Sequence, residues 1–350
     1  MPAESYSDER LDSTIGELRT VFCKEFNVVN ERDVSWLLFS FAPGRVNFIG
    51  EHVDYMGGWV CPAAVEEGTH ILVGRVAHFA AEDKGKPAVR FYATFNKEHC
   101  TVRDFGGTSH NKAWTTFVHG ALALRLKYLG FDMTAPQLRG ICMVVHGTLP
   151  MGAGMSASAA FGIALLHSIN SVLLRDYVCP RRTLGRRYSI LPRIKQSELI
   201  ELAKQGRKIE TDFCGVNVGI MDQFASALSE ADKFLFLDCT NLNFQVLSLQ
   251  SLVGDEWCWM LIDSMIKHDL LGETAKIYNA VRSDQEDGQN KISKVKFGGK
   301  PFTYSELVRN PSKFTADGNA LSFMESCKNI LTEGEYNRGT YQVAEQIRTL

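Results

Sequence analysis

Residues 140–174 read as an apolar strand, a glycine-rich loop and an apolar helix: GICMVVH, then GTLPMGAGMSASAA, then FGIALLHSINSVLL. No other stretch constrains the fold as much. A strand that is apolar on both faces has to be buried, and glycines let the following backbone turn tightly and approach an anion. The helix after such a loop starts with unpaired N–H groups and the positive end of its dipole. Ser156 and Ser158 stand at that start, where a hydroxyl can cap the helix or bind a phosphate or Mg²⁺. The loop holds no lysine, so any phosphate cradle is made of backbone. A GxxxxGK[ST] loop occurs nowhere in the chain. Gly152-Ala-Gly154-Met-Ser-Ala157 nearly fits a dinucleotide fingerprint, but no βαβ array precedes it. The remaining alternative is a strand-to-helix turn whose small residues serve packing, and the loop alone does not decide.

The rest of the chain is mixed in the same way. Leu11, Ile15, Leu18, Val21 and Phe22 fall at helical spacing and predict a helix over 8–25. Strands are expected at 36–42, 71–76, 89–94, 234–238, 244–248 and 257–263, and helices at 114–130, 161–174 and 197–210. The polar, glycine-bearing stretch 283–301 reads as an exposed insertion, and 303–350 is helical in pattern. This order predicts an α+β protein of two domains, 1–225 and 226–350, meeting near 210–240. Charge is almost balanced, with 38 basic and 40 acidic residues, which argues against bulk binding to nucleic acid or anionic membrane. The arginine cluster Arg181, Arg182, Arg186, Arg187 reads as a solvated loop. No run of 18 apolar residues is apparent, so no membrane helix is expected. The polar, acidic N-terminus predicts no secretory signal. Nine cysteines, scattered and without a CxxC pair, read as reduced thiols in the cytoplasm.

Two further stretches carry chemistry. In APGRVNFIGEHVDYMGGWV (42–60), Arg45, Asn47, Glu51, His52 and Asp54 crowd together between Val46, Phe48, Ile49 and Val53. Carboxylates and an imidazole at such density suit a neutral, hydroxyl-rich ligand, whose O–H groups both donate and accept. A metal site at Glu51, His52 and Asp54 is the rival reading, and it lacks a second ligand cluster. In GVNVGIMDQFAS (215–226), Asp222 lies among Gly219, Ile220, Met221 and Phe224. A carboxylate in such company needs a cationic or hydrogen-bonding partner. Arg45 is the candidate, and the pair could place a base beside a substrate hydroxyl. A capping or structural Asp is the alternative. Glu210 could serve a metal, since Mg²⁺ takes few protein oxygens beyond nucleotide phosphates.

Together these residues resemble the galactokinase branch of the GHMP small-molecule kinases. Gly44–Tyr55 is similar to that branch's sugar signature, Pro150–Ala159 to the family's phosphate motif, and Gly219–Phe224 to the stretch carrying the catalytic aspartate. The resemblance implies the two-domain GHMP kinase fold, with an N-terminal α/β domain like ribosomal protein S5 domain 2 and a C-terminal α+β domain. It implies ATP-dependent phosphorylation of galactose at its anomeric hydroxyl to galactose 1-phosphate, with ATP and Mg²⁺ as cofactors, by a cytoplasmic monomer. Asp222 would be the base or the group orienting the sugar hydroxyl, and Arg45 would hold Asp222 and stabilise the transferring phosphoryl. Glu51, His52, Asp54, Gly219, Asp222 and Tyr278 would bind the sugar. Trp114 would line the adenine site. Pro150, Gly152, Ala153, Gly154, Met155, Ser156, Ala157 and Ser158 would surround the phosphates, with Ser156 and Glu210 on Mg²⁺.

The pattern departs from the family twice. The phosphate motif reads GAGMSASAA, where the family more often has a run of glycines and three serines, yet both serine hydroxyls remain. A third glycine-rich motif is expected near the end of the family and is not found after Gly299. The chain is therefore expected to stop within its second domain. This leaves open a catalytically inactive sugar- and ATP-binding regulator or fragment. A related sugar-1-kinase acting on N-acetylgalactosamine or arabinose also stays open.

Overall fold

The computed structural model describes residues 8–83, 85–105, 114–132, 134–150, 152–178, 189–190, 194–248, 250–251, 254, 260–262 and 273–350. The chain divides into two compact units. The first comprises the chain to Gly44, Val65–Gly215 and Asp222–Ala231; the second comprises Arg45–Ala64, Val216–Met221 and Asp232–Leu350.

The first unit is a sheet with helices on both faces. Its strands are β1 (Val34–Asn47, to Gly44), β3 (Pro62–Val76, from Val65), β4 (Val89–Ala93), β5 (Glu98–Val102), β6 (Ile141–Gly147) and β7 (Ser189–Ile190). They lie in the order β7-β1-β3-β6-β4-β5. β3 and β6 are antiparallel with Leu72 opposite Val144, while β4 and β6 run parallel with Phe91 opposite Met143. Strand residues alternate between two cores, as the pleat demands. Ile71, Val73, Ile141, Met143 and Val145 face α3 (Trp114–Leu129), α4 (Ala157–Val178) and α5 (Gln196–Lys208). Leu72, Cys142 and Val144 face the other way, packing with Ile15, Leu18 and Phe22 of α1 (Asp8–Glu25). Because both faces are covered, β6 reads as an unbroken apolar run. The unit also holds α2 (Ala77–Glu82) and α6 (Met221–Leu228, from Asp222).

α4 contains an 18-residue stretch, Ala157–Leu174, that by length and composition could cross a membrane, although five polar residues interrupt its apolar run. It is the core helix of this unit, with Ala160, Ala164, Leu165, Leu166 and Ile169 fully buried.

A buried arginine ties the three helices of that layer together. Arg125 of α3 is 0% exposed. It donates to Asn170 Oδ1 of α4 at 2.6 and 3.2 Å and to Gln205 Oε1 of α5 at 3.4 Å. It also pairs with Glu198 of α5. Burial pushes its pKa down to about 10, so the neighbouring oxygens have to hold the charge.

The second unit contains the ends of β1 and β3 outside the first unit, together with β2 (Trp59–Val60), β8 (Lys233–Asp238) and β9 (Phe244–Ser248). β8 is antiparallel to both β2 and β9. Its helices are α7 (Glu273–Phe297), α8 (Tyr304–Arg309), α9 (Ala320–Glu325) and α10 (Glu333–Thr349). They enclose a core of Met56, Trp59, Ile292, Phe302, Tyr304, Phe323 and Val343. α10 starts on a capping box, in which Thr332 and Glu335 each accept the other's backbone N–H.

Two expectations are corrected here. Stretch 283–301 is no insertion: it is most of α7, whose inward face is Gln285, Gly288 and Ile292. Two of those three are polar or lack a side chain, so the helical stripe does not register as apolar. The polar segment after the first expected strand is partly strand itself, because β1 runs on to Asn47 and carries Arg45. Of the strand expected at 257–263, residues 260–262 are irregular and the remainder lies outside the described residues, as does the 181–187 arginine cluster.

Arg125→Ala should lower the unfolding free energy by about 3 kcal/mol, because it leaves buried acceptors and Glu198 without their partner. Urea denaturation reads this directly, and a loss below about 1 kcal/mol would contradict the pinning role.

Candidate active site

In the first unit, β6 ends at Gly147 and α4 begins at Ala157. The loop between them turns through three left-handed residues, Gly152 (φ 74°), Gly154 (φ 72°) and Ser156 (φ 59°). Left-handed backbone costs glycine little and serine more, so the loop is held from outside. Gly44 supports it: a methyl added there would lie 2.5 Å from the Met155 carbonyl and 2.6 Å from Leu149. Sequence reading placed Gly44 in a motif but could not show that its missing side chain makes room for this loop.

Ser156 is 8% exposed and its Oγ has no hydrogen-bond partner. An orphaned buried hydroxyl costs about 1–3 kcal/mol, which a ligand oxygen or cation would recover. Glu210 is 5% exposed. It sits on a π-helical turn, Ile209–Phe213, that continues α5. Such turns swing a side chain out of the α-helical register and recur at functional sites. Its carboxylate accepts from Ser158 Oγ at 3.1 Å and from Gln223 Nε2 at 2.7 Å. Ser158 is thus the serine bonded to Glu210. Among the described residues no group of three or more His, Cys, Asp or Glu could hold a metal. A Ser hydroxyl and one carboxylate suit Mg²⁺, whose other ligands would be phosphate and water oxygens.

Trp114 opens α3 in the same unit. Its indole Nε1 donates to Glu98 Oε2 at 2.9 Å, and its ring meets Phe95 edge-on at 6.1 Å and Phe161 at 6.5 Å. Phe95 is an exposed aromatic that sequence reading missed.

The second unit gathers the polar residues of the signature. After Asn47 the chain turns back on itself: Phe48 N–H donates to the Cys61 carbonyl at 3.1 Å and Cys61 N–H to the Ile49 carbonyl at 3.0 Å. The tip passes through Gly50 (φ 93°) and His52 (φ 57°). A side chain at Gly50 would overlap the Trp59 carbonyl, which leaves glycine as the fitting residue. Glu51 and His52 are exposed at this tip, and Asn47 Nδ2 donates to Glu51 Oε1 at 3.0 Å.

Asp54 lies in the next turn, where its carboxylate accepts Met221 N–H at 3.2 Å. It also fills the space where Gly219 lacks a side chain, so an added methyl would overlap the carboxylate itself. Stretch 217–219 is held from α7 as well. Asn217 N–H donates to Asn279 Oδ1 at 3.1 Å and Arg282 donates to the Asn217 carbonyl at 2.8 Å. Tyr278, one turn earlier on α7, stands with its ring 5.6 Å from His52 and 5.6 Å from Tyr55. Burial, and then the Asp54 charge, raise the pKa of Tyr55 well above its usual value. Its hydroxyl therefore stays protonated and can donate to His52 Nδ1 at 3.3 Å.

The structure thus brings Glu51, His52, Asp54, Gly219 and Tyr278 into one unit, and the phosphate loop, Trp114, Glu210 and Asp222 into the other. Arg45 belongs to the second unit and Asp222 to the first. Tyr55, Asn279 and Arg282 were not singled out from sequence. Tyr55 closes the signature stretch, and Asn279 and Arg282 follow Tyr278 by one and four residues on α7.

A glycine loop feeding a helix N-terminus, with a buried carboxylate close by, suits a phosphate and its cation, and the comparisons with known proteins define the class as a small-molecule kinase. Residues 116–230 match the family model of the GHMP kinases N terminal domain, and residues 20–75 match the galactokinase galactose-binding signature. The chain is 32% identical to a galactokinase of Thermosipho africanus over 294 residues, 84% of this chain and 68% of that protein. It is 29% identical to one of Clostridium perfringens over 303 residues, 83% of this chain and 68% of that protein. Among solved structures, Lactococcus lactis galactokinase complexed with galactose shares the fold, with a TM-score of 0.68 at 22% identity, covering 96% of this chain and 72% of that one. The chain belongs to the galactokinase family.

Gly219→Ala should destabilise the protein more than Gly154→Ala. The second change meets open space and costs only its left-handed backbone, about 1 kcal/mol. Thermal melts of the two variants check this; equal melting temperatures would mean that Asp54 is not packed against Gly219.

Proposed function

We propose that this protein transfers the γ-phosphoryl group of ATP to the anomeric hydroxyl of galactose, giving ADP and galactose 1-phosphate. The observation that carries this is the gathering of Glu51, His52, Asp54 and Tyr278, all from or packed on the galactokinase signature, within one unit. A cluster rich in acceptors and ring faces suits a neutral sugar, because each hydroxyl needs both a donor and an acceptor at fixed angles.

Glu51, His52, Asp54, Tyr278 and the backbone at Gly219 are assigned to the sugar hydroxyls. Backbone N–H groups from Gly152 to Ser158, at the positive end of α4, are assigned to the ATP phosphates. Trp114 is assigned to the adenine. Ser156 Oγ, buried and without a protein partner, and Glu210 would hold Mg²⁺. When bound, that ion neutralises charge on the β- and γ-phosphates. Asp222 is assigned the proton of the sugar O1 hydroxyl. As O1 bonds to the γ-phosphorus, the bond from that phosphorus to the bridging oxygen of ADP breaks. Arg45 is assigned the negative charge that develops on the transferring group. Positioning and charge stabilisation are most of what phosphoryl transfer asks of a protein.

All assigned residues come from one chain, and the proposal takes a monomer as the working unit. A cytoplasmic location is part of the same reading. It is supported by the free thiols of Cys23, Cys61, Cys100, Cys142, Cys214, Cys239 and Cys327.

Purified protein given ATP, Mg²⁺ and D-galactose should release ADP in a sugar-dependent manner. Asp222→Asn should slow turnover by about 10²–10⁴-fold with little change in galactose KM, as expected on losing a general base. Ser156→Ala should raise the Mg²⁺ concentration needed for half-maximal rate. A folded sample without turnover above background contradicts the proposal, and an active Asp222→Asn removes Asp222 from the proton-transfer role.

A further inference from the structure

The loop tip that carries Glu51 and His52 is held by a helix about 290 residues further along the chain. Glu345 Oε1 accepts the Gly50 N–H at 3.0 Å, the Tyr341 hydroxyl donates to the Glu51 carbonyl at 3.1 Å, and the Gln342 amide donates to the His52 carbonyl. Three consecutive residues of the tip thus each give one backbone group to α10. All of these residues lie in the second unit.

Glu345 lies one turn beyond both Tyr341 (i, i+4) and Gln342 (i, i+3), the spacings that bring side chains together on a helix surface. Glu345 is 6% exposed, and Arg348 pairs with its carboxylate at 2.5 Å. Gln342 is fully buried. These are long polar side chains placed inside the protein, where each needs a partner to offset its desolvation. The backbone they reach is itself strained, since His52 holds φ 57° without being glycine. Such a residue keeps its conformation only when its surroundings over-determine it. Every one of the three bonds goes to backbone, so none consumes the Glu51 or His52 side chain.

We propose that α10 is a positioning element for the sugar. Through Tyr341, Gln342 and Glu345 it fixes the backbone of Gly50–His52 and so sets the directions in which Glu51 and His52 present their side chains. The inference rests on the reading of those two residues as sugar ligands. Tyr341 suits its part: burial, and then the Glu345 and Glu51 charges, raise its pKa, so the hydroxyl remains a donor at neutral pH. Glu345 acts as an acceptor, which makes its oxygen, rather than its charge, the required feature.

The test uses the full chain and its Glu345→Ala, Glu345→Gln and Gln342→Met variants. Galactose and ATP affinities are measured by calorimetry, and amide hydrogen exchange is followed over residues 46–56. Glu345→Ala should weaken galactose binding about tenfold, leave ATP binding unchanged and speed exchange at the loop. Glu345→Gln, which keeps an acceptor oxygen, should stay within about twofold of the parent. Gln342→Met should act in the direction of Glu345→Ala, and it supplies the answer if the alanine variant does not fold. Folded variants with parental galactose affinity and parental loop exchange would overturn the proposal, as would a galactose defect that Glu345→Gln fails to rescue. A parent protein that binds no galactose would instead refute the sugar assignment, and the exchange comparison would still decide whether α10 holds the loop.

Discussion

The second unit is organised around one carboxylate. Asp54 accepts the Met221 N–H and lies where Gly219 has no side chain. Stretches 45–64 and 216–221, far apart in sequence, are thereby held together at the point where the signature's polar groups collect. A carboxylate can do this only if the facing backbone presents an N–H and leaves room. That is a physical reason for a glycine at 219 and for Asp, with its short arm, at 54. α7 repeats the constraint from the other side, through Asn279 and Arg282 on Asn217. The edge-on and tilted ring cluster of His52, Tyr55 and Tyr278 is built on this frame.

The first unit meets the opposite demand. On the proposed reading it faces a polyphosphate, which needs donors and positive potential; the N–H groups at the start of α4 offer both without a lysine. Three left-handed residues turn the chain so that α4 starts directly after the loop, and Gly44 leaves the space for it. Glu210 is brought to the same region by the π-helical turn after α5, while Arg125 locks α5 to α3 and α4. On the proposed reading the two units divide the chemistry: carboxylates and rings are assigned to neutral hydroxyls, and backbone amides to phosphates.

Much of this was legible in the sequence, for reasons that can be named. β6 and α4 are mostly buried, so their apolar runs marked them, and the glycines between them marked a tight turn. Glu51, His52 and Asp54 stood out because three polar groups within four residues are dense for a stretch flanked by apolar ones. What stayed hidden depends on partners distant in sequence. α7 buries Gln285 and Gly288 beside Ile292, which makes no apolar stripe. Gly44 and Gly219 were legible as motif residues, but not that each leaves space, for Met155 and for Asp54 respectively. Tyr341, Gln342 and Glu345 look like an ordinary amphipathic helix until their backbone partners in the signature loop are seen.

The claim on which the account turns is phosphoryl transfer to the anomeric oxygen. The most direct measurement is the phosphorus NMR spectrum of the product formed from ATP and D-galactose. A monoester signal whose phosphorus couples to the anomeric proton is the predicted result. Phosphate attached at any other carbon, or ATP consumed with only inorganic phosphate released, would contradict it.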